Sequence, residues 1–446
     1  MTLRPESALE ARQITAINHL ASHKSTILVS PTGSGKTAIC LSAIKRLTLD
    51  RSRLSRVIVA CPAKVLSTNT WTKEQGKWSH LKHLKVAEIH GDPTQRLARM
   101  DHHENAHVWI ISLGNLEWLL SQKHGANGII VDELSKASGK QTRRMNTKRW
   151  GSCFDWRVGM TATPVSQDFM KLFYMVKRID GGKALGTNFD DFRHNHFTSD
   201  YMGFKFEIRP GAAEAILLAV AKLVYLVEDT KEAELPKLTD DLQIRFQMPE
   251  RTREVYTQMK RDMLVKDVEA VNEAVKYGKL RQIASGFLYG ETATGERTTK
   301  WSAVEARSGF LWDWIVSLKK DRGVIFYEYE AQLEIIEDLL RHKRSWTTDT
   351  NDFLAGTRGL LVAQINSVSH GVDGLQDVCH KACFYHPMWS RDATEQAVGR
   401  LWRKGQQHPV EITTLICEDT LDDLVLERVE GRGEWMKIFT AHLKEN

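Results

Sequence analysis

Short, nearly continuous apolar runs recur in two sets along this 446-residue chain, and no other feature restricts its fold as strongly. TILVS (26–30), RVIVAC (56–61), HVWIIS (107–112), GIIVD (128–132) and RVGMT (157–161) alternate with longer stretches of helical periodicity. GVIFY (323–327), LLVAQI (360–365), KACFYH (381–386) and VEITTLI (410–416) repeat the pattern later. A strand wetted on one face alternates apolar with polar side chains; a strand apolar on both faces is covered on both. The predicted fold class is therefore α/β, two parallel-sheet lobes flanked by helices. From about 200 to 300 the character changes. PERTREVYTQMKRDMLVKDVEAVNEAVKYGKLRQIASGFLY is highly charged, with Val255, Met259 and Met263 at helical spacing, and GETATGERTTK (290–300) reads as a turn or hairpin. The expected domains are a first lobe at 1–198, a helical insertion at 199–300 and a second lobe at 301–446.

Composition excludes several classes. The apolar run AAEAILLAVAKLVYLV is interrupted by Glu214 and Lys222, which suits a buried helix and not a membrane span. Six cysteines scattered through so long a chain suit reduced thiols, and MTLRPESALE has no apolar signal core, so a cytoplasmic protein is expected. A net charge of +6 is compatible with a nucleic-acid partner without establishing one. Cys379, His380, Cys383 and His386 fall on and beside a predicted strand, where side chains alternate faces and cannot converge on zinc.

SPTGSGKT (30–37) follows a predicted strand and opens a predicted helix. In such a loop the backbone N–H groups of Thr32, Gly33, Ser34 and Gly35 cradle phosphate oxygens, Lys36 reaches the β- and γ-phosphates, and the Thr37 hydroxyl ligates Mg²⁺. Ser30 replaces the first glycine of the full pattern. GIIVDE (128–133) supplies the acidic partner: Asp132 is placed to hold Mg²⁺ and Glu133 to orient or deprotonate the attacking water. The expected cofactors are ATP and Mg²⁺. Taken alone, the loop and the acidic pair also fit a phosphate-loop kinase or metabolic ATPase.

Further motifs narrow the choice. ARQITAIN (11–18), VIVACPAKV (57–65) followed by Trp71 and Glu74, VDELS, GMTATPV (159–165), VIFYEYE (324–330), INSVSHGVDGLQ (365–376) and QAVGRLWRKGQ (396–406) come in this order along the chain. The set resembles the superfamily 2 helicase and translocase ATPases. The last motif, with MWSRDATE before it and EDTLDDLVLE after it, resembles their Snf-like branch of duplex-DNA translocases; the length resembles short bacterial or phage members. DELS in place of a DEAH-like box and GVDGLQ in place of the usual motif V ending depart from that branch.

The resemblance implies two RecA-like lobes with an ATP cleft between them. It nominates Gln13 for adenine recognition and Asp373 for ribose contact. It implies that Gln396, Arg400 and Arg403, placed by helical spacing on adjoining turns of one face, serve hydrolysis, the arginines as fingers on the γ-phosphate. It implies DNA as partner, duplex favoured and single strands possible, with phosphate contacts at Pro62, Ala63, Lys64, Ser112, Ser367 and Ser369. The basic segment KQTRRMNTKRW (140–150) reads equally as a phosphate contact and as an exposed helix. The implied function is an ATP-driven DNA translocase or helicase; a nucleic-acid-binding ATPase switch without translocation is the alternative.

Overall fold

The computed structural model describes residues 3–30, 34–138, 154–162, 169–199, 206–227, 235–265, 271–291, 297–301, 305–365 and 374–426. The chain divides into two compact units, the division falling between Thr230 and Lys231.

The first unit is built on β1 (Ser25–Val29), β2 (Val57–Cys61), β3 (Val86–Glu88), β4 (Val108–Ser112), β5 (Gly128–Val131) and β6 (Trp156–Thr161). A short antiparallel pair, β7 (Phe197–Ser199) with β8 (Phe206–Ile208), precedes the edge strand β9 (Val224–Leu226). The sheet order is β3-β4-β2-β5-β6-β1-β9, with every pairing parallel. Both faces are dry, as the unbroken apolar runs require. Ile27, Val29, Ile58 and Ala60 pack into one core, while Leu28, Val57, Val59 and Cys61 pack into the other.

The second unit carries β10 (Leu238–Phe246), the antiparallel hairpin β11 (Phe287–Glu291) and β12 (Arg297–Trp301), then β13 (Gly323–Tyr327), β14 (Trp346–Thr347), β15 (Leu360–Gln364), β16 (Lys381–Phe384) and β17 (Val410–Cys417). Its main sheet, β10-β17-β16-β13-β15-β14, is again parallel throughout. Ile325 and Val362 face one core, Val324 and Leu361 the other.

The stretch expected as a separate insertion is shared between the units. β9 hydrogen-bonds to β1 and completes the first sheet, whereas β10 pairs with β17 and belongs to the second. The charged segment does form helices, Glu250–Val265 and Val271–Ala284. Of the residues at helical spacing, Met259 packs against the core while Val255 is 45% exposed; Tyr256 is buried and its hydroxyl accepts from the Leu421 amide at 2.9 Å. Tyr256 wins the inward position because its hydroxyl satisfies a buried amide that valine cannot.

Cys379 and Cys383 lie in different cores, on opposite sides of the second sheet, and no group of three or more metal-ligating side chains is assembled among the described residues. No helix among them is long and apolar enough to cross a membrane.

Candidate nucleotide site

In an open parallel sheet, ligands collect at the carboxyl ends of the strands. In the first unit that edge carries Ser30 after β1, Pro62 after β2, Ser112 at the end of β4 and Asp132 after β5. β1 and β5 both flank β6, so the phosphate loop and the acidic box are separated by one strand.

The phosphate loop is tied from three sides. The Ser30 amide donates to Thr161 O at 3.1 Å, extending the sheet by one residue. The Ser30 and Ser34 hydroxyls share a short hydrogen bond across the loop. Lys36 Nζ donates to Ser30 O at 2.6 Å. Helix α2 (Lys36–Lys45) then begins behind Gly35, whose φ of +86° only glycine adopts without strain. The serine in place of the first glycine is thus a clasp, holding the loop through Ser34.

Gln13 lies in α1 (Ala11–Ser22) and is 8% exposed. Its Oε1 accepts from the Glu10 amide at 2.9 Å, closing a capping box, and its Nε2 donates to Ser34 O at 3.0 Å. A Cβ on Gly35 would stand 2.4 Å from that Nε2. The glutamine nominated for adenine therefore braces the phosphate loop here. Thr37 is half-buried in the first turn of α2; Thr32 and Gly33 lie outside the described residues.

Asp132 leaves β5 with its amide donating to Ala60 O at 2.8 Å. Its Oδ2 accepts from the indole Nε1 of Trp71 at 3.2 Å. Burial and then the neighbouring Glu133 push its pKa up to about 7, opposed by the Trp71 hydrogen bond and the Lys36 charge. A carboxylate made costly in this way favours a cation. The donors carried by the phosphate loop's helix and the acidic box are all hard oxygens (Thr37 hydroxyl, Asp132, Glu133), the set Mg²⁺ prefers. Glu133 itself has φ +58°, a left-handed backbone uncommon for a side-chain-bearing residue, and it turns the chain into the short helix Leu134–Ser138. Trp71 escaped notice in the sequence as a partner of Asp132, because sixty-one positions separate them and only the sheet brings them together.

Pro62 caps the short helix α3 (Ala63–Ser67), so the segment named for phosphate contact projects from the same edge. Ser112 is buried, its hydroxyl accepting from Asn115 Nδ2 at 2.9 Å. On the helix Pro93–His102, the buried guanidinium of Arg96 lies 4.1 Å over the Trp118 ring, and its Nε and Nη1 find no hydrogen-bond partner among the described residues. Ser367, Ser369, Asp373 and the 140–150 segment lie outside the described residues.

In the second unit, Gln396 is buried and Arg400 half-buried on the helix Arg391–Leu401, which Ser390 caps through the Ala393 amide at 3.2 Å. The shared helical face expected for the two arginines does not hold. The helix stops at Leu401, and Arg403 follows in a turn closed by Gly405 at φ +105°. The stop is built by Gln406: its Nε2 donates to Leu401 O at 3.1 Å and to Cys379 O at 2.9 Å, drawing the chain off the helix axis. The terminal glutamine of the motif is a structural clamp.

Residues 10–172 match the family model described as DEAD/DEAH box helicase. The chain is 27% identical to "Putative protein p41" of Acyrthosiphon pisum secondary endosymbiont phage 1, over 92% of this chain and 93% of that protein. It is 22% identical to the DNA repair and recombination protein RAD54-like of Drosophila grimshawi and 23% identical to the chromatin structure-remodeling complex subunit snf21 of Schizosaccharomyces pombe. It spans 58% and 37% of those two proteins. Among solved structures, the Sulfolobus solfataricus SWI2/SNF2 ATPase core in complex with dsDNA aligns over 97% of this chain and 93% of that one, with 16% identity and a TM-score of 0.43. With the braced phosphate loop and the acidic box at the end of β5 in place, residues 10–172 match a DEAD/DEAH box helicase domain, and the chain is a helicase-type ATP hydrolase of two parallel-sheet units, similar over 90–92% of its length to the RAD54-like and snf21 proteins.

Proposed function

We propose that the protein couples Mg²⁺-ATP hydrolysis to movement along DNA, chiefly duplex DNA. The observation that carries this reading is the shared edge in the first unit. The nucleotide residues Lys36, Thr37, Asp132 and Glu133 and the phosphate-contact candidates Pro62, Ala63, Lys64 and Ser112 all follow strands of one parallel sheet, so one rigid frame holds both. Lys36 neutralises the β- and γ-phosphates; Thr37 and Asp132 hold Mg²⁺; Glu133 orients the attacking water. The metal, once bound, withdraws charge from the phosphate oxygens. Gln396, Arg400 and Arg403 act on the same triphosphate, and Ser367, Ser369 and Asp373 extend the polymer and ribose contacts. The names of the RAD54-like and chromatin-remodeling relatives support DNA as the polymer.

ATPase measured with no nucleic acid, single-stranded DNA, duplex DNA and RNA tests the proposal. Duplex DNA is expected to accelerate turnover most. Turnover indifferent to all three polymers overturns it and returns the chain to the phosphate-loop ATPases that act without a track. Displacement of a third strand from a triplex by the ATP-driven protein separates a motor from a binding switch.

A further inference from the structure

We infer that Trp71 is a positioning residue through which occupancy of the 62–64 segment reaches Asp132. The inference rests on the proposed function, since it takes that segment to contact nucleic-acid phosphates. The path runs through hydrogen bonds and one peptide link, Thr70 to Trp71. Lys64 O accepts from the Thr68 amide at 3.1 Å, the Thr68 hydroxyl at 2.9 Å and the Ser67 hydroxyl at 3.0 Å, so α3 ends as a closed knot. The Thr68 hydroxyl also meets Thr70 Oγ1 at 2.8 Å. Asn69, at φ +53°, starts the second short helix, α4 (Thr70–Gln75), and its carbonyl takes the Lys73 amide at 2.8 Å. α4 is pinned to the first sheet where the Thr72 hydroxyl donates to Glu88 Oε1 at 2.6 Å.

Trp71 projects from the first turn of α4 and is 1% exposed, in the core that also holds Ile39 and Ile44 of α2. A buried indole N–H needs an acceptor, and this one has Asp132 Oδ2. The indole ring fits between the phosphate-loop helix and the acidic box and leaves its nitrogen one direction to point. A phosphate drawn onto Pro62–Lys64 shifts the α3–α4 knot as one body, because each of its turns is cross-bonded, and Trp71 carries the shift to the metal-binding carboxylate.

Trp71→Phe keeps an aromatic ring in the core and removes the donor. Without nucleic acid, the Mg²⁺ concentration that half-saturates binding of a fluorescent ATP analogue is expected to rise about 10-fold, the lower end for losing a residue that orients a metal ligand. Affinity for the analogue in EDTA stays within about 2-fold of wild type, since an ordinary packing change leaves the phosphate loop intact. With duplex DNA, binding persists while the ratio of stimulated to basal ATPase falls. A wild-type Mg²⁺ titration in Trp71→Phe overturns the positioning role, and an unchanged stimulation ratio overturns the transmission. If that variant does not fold, Thr72→Val frees α4 from Glu88 and leaves the indole in place. It is expected to lower the stimulation ratio at unchanged Mg²⁺ half-saturation, and an unaltered ratio overturns the path. Failure of wild-type protein to respond to any nucleic acid counts against the proposed function, while the Mg²⁺ titration still decides the role of Trp71.

Discussion

Gly35 sits where two demands meet. Its φ of +86° lies in the left-handed region, and any Cβ there would collide with Gln13 Nε2. Gly35→Ala is therefore expected to cost about 1–3 kcal/mol of stability, within the range for a strained backbone position, and to abolish binding of a fluorescent ATP analogue. Arginine 403 makes a contrasting case. As the proposed finger it acts on charge that develops during transfer, so Arg403→Ala is expected to leave ATP affinity nearly intact while turnover falls about 10³-fold or more. Wild-type turnover in that variant removes the finger assignment. Lys36 and Asp132 were legible in the sequence as candidates because each is marked by its immediate neighbours. Gln13 was legible as a candidate and its capping box with Glu10 is local, but its bracing role was not, since the bond to Ser34 O depends on the loop's folded path.

At the level of elements, a buried ion pair holds the last stretch of the second unit. Arg307 and Asp422 are each 2% exposed in their side chains, and Nη2 meets Oδ2 at 2.7 Å. Asp422 Oδ2 also accepts the Cys417 amide at 3.0 Å, and Arg307 donates to the carbonyls of Ala284 and Tyr385. Removing one partner strands a charge in a dry place. Asp422→Ala is expected to lower the unfolding free energy of the second unit by about 3–5 kcal/mol in urea titrations, far beyond any exposed ion pair such as Arg341–Asp338. The apolar runs announced most strands of both sheets because dry faces impose their own composition. The edge strands β3, β9, β10 and β14 were not announced, being short or largely wet; β10 is exposed along much of its length. The end of the helix Arg391–Leu401 was equally hidden, because Gln406 enforces it from beyond the helix through a carbonyl of another segment.

For the whole molecule, acid is the informative stress. His386 is fully buried, and burial first, then the charges of Arg281 and Arg307, hold its pKa well below 6.5. It stays neutral in the folded chain but takes a proton near its ordinary pKa once unfolded. Its contribution is therefore intact above about pH 6.5 and is lost progressively as the pH falls below that value toward the folded pKa. Thermal melts from pH 7.5 to 5 should show the midpoint dropping, and His386→Asn should shallow that slope. Duplex binding should weaken steeply with salt, and Lys64→Ala should reduce the log–log slope by about one if that lysine meets a phosphate.

By itself the sequence determined the two parallel sheets, the order of the motifs and the chemistry available to each, because burial on both faces and a phosphate loop are written locally in composition and spacing. Only the tertiary structure decided which groups act on one another. It set the Ser30–Ser34 clasp, turned Gln13 onto the loop, brought the Trp71 indole to Asp132 and divided the 199–300 stretch between two sheets. Those outcomes rest on hydrogen bonds and pairings between distant segments, and a partner's direction is a property of the folded backbone, not of any single stretch of chain.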